Sequence, residues 1–324
     1  MSPRLSLAFE AGGVALPDGP VVVLHPRADA DLSALPRDQV TIVQPFYPDH
    51  AAWVQRGYTC LSELHGSFDL AVVCLPRSKE QARALISDAT RVAGVVVVDG
   101  AKTDGVDSIL KAVRKRGDVS GPISKAHGKV FWFTPDAPFL DWAAEPQDIG
   151  GFQTMPGVFS ADGIDPASEL LASVLPEKLG PRVADLGAGW GYLSAHVLSR
   201  ASVEALHVVE ADHTALTCAR HNLPDPRAQF HWADATNWGD AGQIDTVVMN
   251  PPFHTSRAAD VALGQAFIQA AARLLTPQGT LWMVANRHLP YESALREAFR
   301  EGDELAGDTR FKLFRAARPS RPRR

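Results

Sequence analysis

The chain has 324 residues, 45% hydrophobic and 21% charged, with a formal net charge of −5, a balance that excludes a collagen-like repeat and a globally disordered chain. It is longer than a single core usually grows, so two domains of roughly 150 residues each are expected. No run approaches the about 18 consecutive apolar residues of a membrane span, and the start lacks the apolar stretch of a secretory leader, so a cytoplasmic protein with no membrane contact is expected.

The first half offers short Val-rich runs at 20–26 (PVVVLHP), 39–45 (QVTIVQP), 68–76 (FDLAVVCLP) and 94–100 (GVVVVDG), separated by helix-like stretches such as SKEQARALISDATRVA. Strands alternating with helices predict an α/β fold with a doubly wound, mostly parallel sheet. The runs are continuously apolar, as strands buried on both faces are. Residues 133–157 then mix Pro, Gly and polar groups, the signature of a linker with short ordered pieces. The boundary is placed between 147 and 148. The second half repeats the rhythm at 181–187, 204–212, 229–235, 243–253 and 279–287, and the basic residues 317–324 read as a disordered tail.

The halves can be laid over each other: FDLAVVCLPRSKE faces IDTVVMNPPFHTS, GVVVVDG and its helix face GTLWMVANR and its helix, and KVFWFT faces RFKLFR. Two tandem Rossmann-like units from an old duplication are predicted. In the first copy LHPRADADL stands where the second has a glycine-rich turn, and LPRS where the second has NPPF. The first copy is therefore degenerate and expected to be chemically silent, serving structure or RNA binding.

Cys60, Cys74 and Cys218 are isolated, so neither a disulfide framework nor a metal site is expected. Although the chain is acidic, two segments are locally basic: Lys111, Arg114, Lys115, Arg116, Lys125 and Lys129, and Arg310, Lys312, Arg315, Arg318, Arg321, Arg323 and Arg324. Either is read equally as a phosphate-contacting patch or as a solvated face.

In VADLGAGWGYLSAHVL a strand carries Asp185, then Gly187, Gly189 and Gly191, with Ala188 between the first two, then a helix with Leu193, Val197 and Leu198 on one side. Such a turn lets a ligand approach main-chain N–H groups at a helix N-terminus. Three details favour S-adenosylmethionine over a dinucleotide. The third glycine arrives one residue early for the dinucleotide fingerprint, Asp185 precedes the first glycine by two, and the next two strands end near carboxylates. Glu210 is positioned to accept the ribose hydroxyls, and Asp234, followed by Ala235, to accept from the adenine amino group.

Asn250, Pro251, Pro252 and Phe253 follow the apolar strand DTVVM, at the strand end where doubly wound folds place their sites. An amine conjugated to a ring is a poor nucleophile, because its lone pair is delocalised. The Asn250 side-chain oxygen and the Pro251 carbonyl would each accept one N–H and hold the nitrogen in line with a sulfonium methyl. Asn250 would also border the cofactor, and Phe253 would stack on the base. His254 is read as a loop residue ahead of a proton acceptor.

Asp-x-Gly-x-Gly-x-Gly, a strand-end acid and a later Asn-Pro-Pro-Phe resemble the class I methyltransferases that use S-adenosylmethionine. That likeness implies cofactor roles for Asp185, Gly187, Gly189, Gly191 and Glu210, and extends to Asp234. More narrowly, TMPGVFSADGIDPASELLASVLP, NPPFH, ANRHLPYESALREAF and FKLFRA resemble the rRNA guanine-N2 methyltransferases of the RsmC and RlmG type. The PGVFS segment is similar to the small-subunit branch. This implies transfer to the exocyclic N2 amine of guanine in small-subunit rRNA, with rRNA or a ribosomal subunit as partner; the sequence does not fix the oligomeric state, and a monomer is favoured. The alternatives are a large-subunit target, protein glutamine, and a noncatalytic RNA-binding or assembly factor.

Overall fold

The computed structural model describes residues 3–10, 13–240, 242–252, 261–305 and 307–320. The chain divides into two compact units, one of Met1–Pro146 with Met155–Gly157, the other of Gln147–Thr154 with Val158–Arg324. The division falls one residue before the expected boundary.

The first unit contains α1 (Pro3–Glu10), β1 (Val21–Leu24), β2 (Val40–Val43), α2 (Tyr47–Gln55), β3 (Thr59–Leu61) and β4 (Phe68–Cys74). It continues with α3 (Lys79–Val92), β5 (Ala93–Ala101), α4 (Val106–Val113), β6 (Ser120–Lys125) and β7 (Gly128–Phe133). Its sheet has the order β3-β2-β1-β4-β5-β7-β6. The first five strands run parallel, and β7 is antiparallel to both neighbours. The Val runs are largely buried, β1 at all four positions and β5 at Val96, Val97 and Val98, as predicted for strands covered on both faces.

The second unit opens with an antiparallel hairpin of β8 (Gln147–Ile149) and β9 (Phe152–Thr154). Then follow α5 (Pro166–Val174), β10 (Arg182–Leu186), α6 (Tyr192–Leu198), β11 (Ala205–Glu210), α7 (His213–Asn222) and β12 (Ala228–Trp232). The chain continues through β13 (Ile244–Met249), α8 (Val261–Leu274), β14 (Leu275–Asn286), α9 (Glu292–Ala298), β15 (Phe299–Leu305) and β16 (Phe311–Pro319). The sheet order, β12-β11-β10-β13-β14-β16-β15, repeats that of the first unit strand for strand, and the facing segments read from the sequence occupy equivalent strands. Leu186, Val209, Val247 and Leu281 pack one face against Phe267, Ile268 and Leu295, while Val183, Leu206 and Val248 pack the other against Leu171, Val197 and Leu216. After β10 the chain winds outward to β12 and returns to β13 on the far side of β10. The carboxyl ends of β10 and β13 therefore flank the crevice where open α/β sheets bind ligands.

Two differences from expectation concern the C-terminus. The edge strand β15, FREGDEL, is exposed at five of its seven positions, so its sequence carries no apolar signal. Pairing with β16 and cross-strand charges hold it: Asp303 lies opposite Arg315, and Arg318 pairs with Glu301 at 2.9 Å. Together with Lys312 on Glu292, these pairs offset much of the C-terminal basic segment within the unit. The tail expected from 317 starts too early. Ala317 pairs with Thr280 and β16 runs to Pro319, because Ala316, Ala317 and Pro319 are buried. Arg321, Arg323 and Arg324 lie outside the described residues.

Candidate active site

Between β10 and α6 the chain makes a tight turn whose three glycines all have positive φ, 75° at Gly187, 56° at Gly189 and 95° at Gly191. The Gly187 and Ala188 N–H groups both donate to the Val209 carbonyl, at 2.9 and 3.1 Å. A Cβ at 191 would crowd Leu223 at 3.0 Å, whereas one at 187 would make ordinary contact with the Phe267 ring at 3.4 Å, so there the positive φ is what asks for glycine. At Gly189 a Cβ would meet nothing within 4 Å. Gly189 thus borders open space, as a residue that lets a ligand reach the backbone would.

Two acids brace this turn. Asp185 is fully buried. Its Oδ2 accepts from the Ser194 hydroxyl at 2.7 Å, while Oδ1 is buried with no partner among the described residues. Burial, with a smaller contribution from the Glu210 charge, pushes its pKa up to about 7 against the lowering effect of the Ser194 hydrogen bond. Glu210 ends β11, with Oε2 accepting the Gly189 N–H at 2.7 Å and Oε1 the Asp212 N–H at 2.8 Å. Burial pushes this group also to about 7. Both Glu210 oxygens are therefore engaged by backbone, though a carboxylate oxygen can accept more than one hydrogen bond. The orphaned Asp185 oxygen, the open face of Gly189 and the Glu210 carboxylate fit a ligand rich in amino and hydroxyl donors, as the amino acid and ribose parts of S-adenosylmethionine are.

The third acid is placed differently. Asp234 closes its own turn, Oδ1 accepting from the Thr236 N–H at 2.9 Å and the Thr236 hydroxyl at 2.6 Å, and Oδ2 from the Asn237 amide at 3.1 Å. Ala235 is buried in the core. A purine amino group at Asp234 would have to share these oxygens.

Asn250 follows β13 and borders the same open pocket as Gly187 and Gly189. Its amide Nδ2 donates to Asp165 Oδ2 and to Ser168 Oγ, both at 2.9 Å. With both N–H groups engaged, Oδ1 is left as the acceptor. Pro251 is buried and Pro252 exposed, while Phe253 and His254 lie outside the described residues.

Asp165 and Ser168 were not legible as site residues. Asp165-Pro166-x-Ser168 reads as a helix start with Pro at the first position, and it is one: Asp165 caps α5 by accepting the Ser168 N–H at 2.8 Å. Asn222 was missed too. Its Nδ2 donates to the Trp190 carbonyl of the glycine turn at 2.8 Å and to the Gln153 carbonyl at 2.9 Å, and its Oδ1 accepts from the Gln153 N–H at 2.7 Å. Among the described residues no group of three or more His, Cys, Asp or Glu could hold a metal ion. None of their helices is long and apolar enough to cross a membrane.

The family model described as "Methyltransferase small domain" matches residues 150–315. A curated relative, ribosomal RNA small subunit methyltransferase C of Hahella chejuensis, is 27% identical, the match covering 93% of this chain and 94% of that protein. The protein of the same name from Erwinia tasmaniensis is 31% identical over 70% of this chain and 64% of its own length. Among solved structures, a T. thermophilus 16S rRNA N2 methyltransferase (RsmC) in complex with AdoMet and guanosine superposes with a TM-score of 0.79, at 24% identity, over 98% of this chain and 92% of that one. That likeness shows a shared fold across both units.

Proposed function

The chain belongs to the methyltransferase small domain family, and from that premise we propose that it transfers a methyl group from S-adenosylmethionine to the exocyclic N2 amine of a guanine in small-subunit rRNA. The observation that carries the reading is the fixed amide of Asn250, whose Nδ2 is committed to Asp165 and Ser168. Its oxygen becomes an acceptor at the carboxyl end of β13, beside the glycine turn. Small-subunit rRNA as substrate is supported by the names of the relatives in H. chejuensis and E. tasmaniensis, and guanine by the ligand of the T. thermophilus structure.

The cofactor, when bound, supplies a methyl group on an electrophilic sulfonium. The turn of Gly187, Ala188, Gly189 and Gly191 would hold it, with Glu210 accepting from the ribose hydroxyls and Asp185 serving its amino acid end. Asn250 Oδ1 and the Pro251 carbonyl each accept one N–H of the target amine. Held so, the nitrogen lone pair leaves conjugation and points along the line of transfer. No strong base is required, because the amine becomes acidic once it carries the new methyl and its proton passes to a neighbouring acceptor or water. Asp234 and Ala235 are assigned the adenine end, Phe253 the face of the base, and the first unit the holding of RNA.

Asn250→Ala is expected to abolish methyl transfer while S-adenosylmethionine affinity stays within roughly several-fold, the pattern of a contact made in the transition state. Normal turnover in that variant would overturn the mechanism. Mapping N2-methylguanine in rRNA from cells with and without the protein tests the substrate. Methyl incorporation into a protein, with rRNA inert, would retain the amine chemistry and transfer it to glutamine.

A further inference from the structure

We propose that Asp165 is the residue that selects guanine, its second carboxylate oxygen accepting the N1–H of the base while Asn250 accepts from the 2-amino group. The inference rests on the guanine-N2 reading above and deepens it. An Asn-Pro-Pro turn recognises an amine, and adenine, cytosine and guanine all carry one. Something else must read the ring atom beside it.

Asp165 stands 85 positions before Asn250 in the chain and touches it through Oδ2, at 2.9 Å from the amide nitrogen. The same Oδ2 caps α5 by accepting the Ser168 N–H at 2.8 Å. These two bonds, with Pro166 opening the helix, hold the carboxylate in one orientation. Its other oxygen, Oδ1, accepts from no described residue, and Asp165 borders the same pocket as Asn250 and Gly189. Asn250 Oδ1 likewise accepts from no described residue, so two side chains that border the pocket each keep an oxygen free of described donors.

That pair has one complement among the amine-bearing bases. Guanine presents two adjacent donors, N1–H and the 2-amino group. Adenine and cytosine present an amine next to an unprotonated ring nitrogen, whose lone pair would face the carboxylate. A buried acceptor left against a lone pair is costly, and a site built to bind an N–H rejects the analogue that lacks it. Asp165 thus separates guanine from the other two bases at the step where the base enters the pocket.

The test uses the full-length protein and two RNA substrates that differ only at the target nucleotide, guanine or 2,6-diaminopurine. The second keeps the 2-amino group but offers an acceptor at N1. The wild-type enzyme is expected to lose about ten- to hundred-fold in kcat/KM on the diaminopurine RNA, the span of one hydrogen bond to a charged group. In Asp165→Asn the amide oxygen keeps the helix cap, for which Asn is as good as Asp, and an N–H2 replaces Oδ1. This variant is expected to invert the preference, and equilibrium binding of the two RNAs should follow the same order. A merely structural role would lower both rates alike, and that result overturns the proposal. Equal wild-type rates on the two RNAs would also overturn it, with no variant needed. Failure of the wild type to methylate N2 in either RNA would instead sink the guanine reading, and this inference with it.

Discussion

His25 in the first unit and Gly187 in the second hold the same backbone position. Each has positive φ, 55° and 75°, and each donates its N–H to the carbonyl at the end of the neighbouring strand, Val43 at 2.8 Å and Val209 at 2.9 Å. The first unit thus makes the same backbone turn with His25 where the second has Gly187. Gln44 stands for Glu210 there. Its Oε1 accepts the Phe46 N–H at 3.0 Å, as Glu210 Oε1 accepts from Asp212, but its Nε2 donates to the Pro26 carbonyl at 2.9 Å. The indole of buried Trp53 donates to the same carbonyl at 3.0 Å. A neutral amide and a packed ring close the first turn where the second stays open.

One S-adenosylmethionine per chain is therefore expected, and His25→Gly should leave that stoichiometry unchanged, since Gln44, Pro26 and Trp53 remain. Gly189→Ala should cost about 1–2 kcal/mol of stability for its left-handed φ. Because its Cβ meets no protein atom, the larger effect should fall on the ligand, with affinity lowered on the order of ten-fold or more. Calorimetric titration of both variants decides this. Wild-type affinity in Gly189→Ala would displace the cofactor from the turn.

Asn222 ties the glycine turn to the β8–β9 hairpin through Trp190 and Gln153. Asn222→Asp removes two donors and sets a carboxylate against two carbonyls. The expected loss is about 1–3 kcal/mol of unfolding free energy, accompanied by weaker cofactor binding because Trp190 lies within the turn. Denaturant unfolding and a binding titration on the same sample check it; stability lost with binding intact would show that the turn does not depend on this clamp.

Asp185 and Glu210, both raised to about 7 by burial, give a pH dependence of definite sign. Their folded values lie above the unfolded ones, so the ligand-free protein retains protons that the unfolded chain releases, and stability falls as pH rises from about 4 through about 7. Donors from the cofactor favour both carboxylates. Affinity should accordingly rise with pH through about 7, with proton release on binding that fades above it. Titrations in buffers of different ionisation enthalpy measure the released protons, and a flat profile would refute the assignment.

Gly264 lies in α8 under Tyr291, where a Cβ would fall 2.0 Å from the phenol oxygen of a fully buried ring. On an open helix Gly→Ala gains about 1 kcal/mol. Here overpacking should dominate and Gly264→Ala should destabilise by about 1–3 kcal/mol. A raised melting temperature in this variant would contradict the contact.

The strands were legible because buried parallel strands write themselves as local apolar runs, and the duplication because β4 and β13, β5 and β14, β7 and β16 keep those runs in the same order. The glycine turn and the Asn-Pro-Pro turn were legible for a similar reason, since backbone shape is set by neighbours in the chain. Edge strand β15 was not, because it is held by its partner and by Arg315 and Arg318, with little burial of its own. Tertiary structure alone brought Asp165 and Ser168 to Asn250 and Asn222 to Trp190. These are hydrogen bonds between residues 32 to 85 positions apart, which leave no periodicity in the sequence. The protonation of Asp185 and Glu210 was decided there as well. An acid's identity is local, but its pKa depends on the burial that only the closed fold supplies.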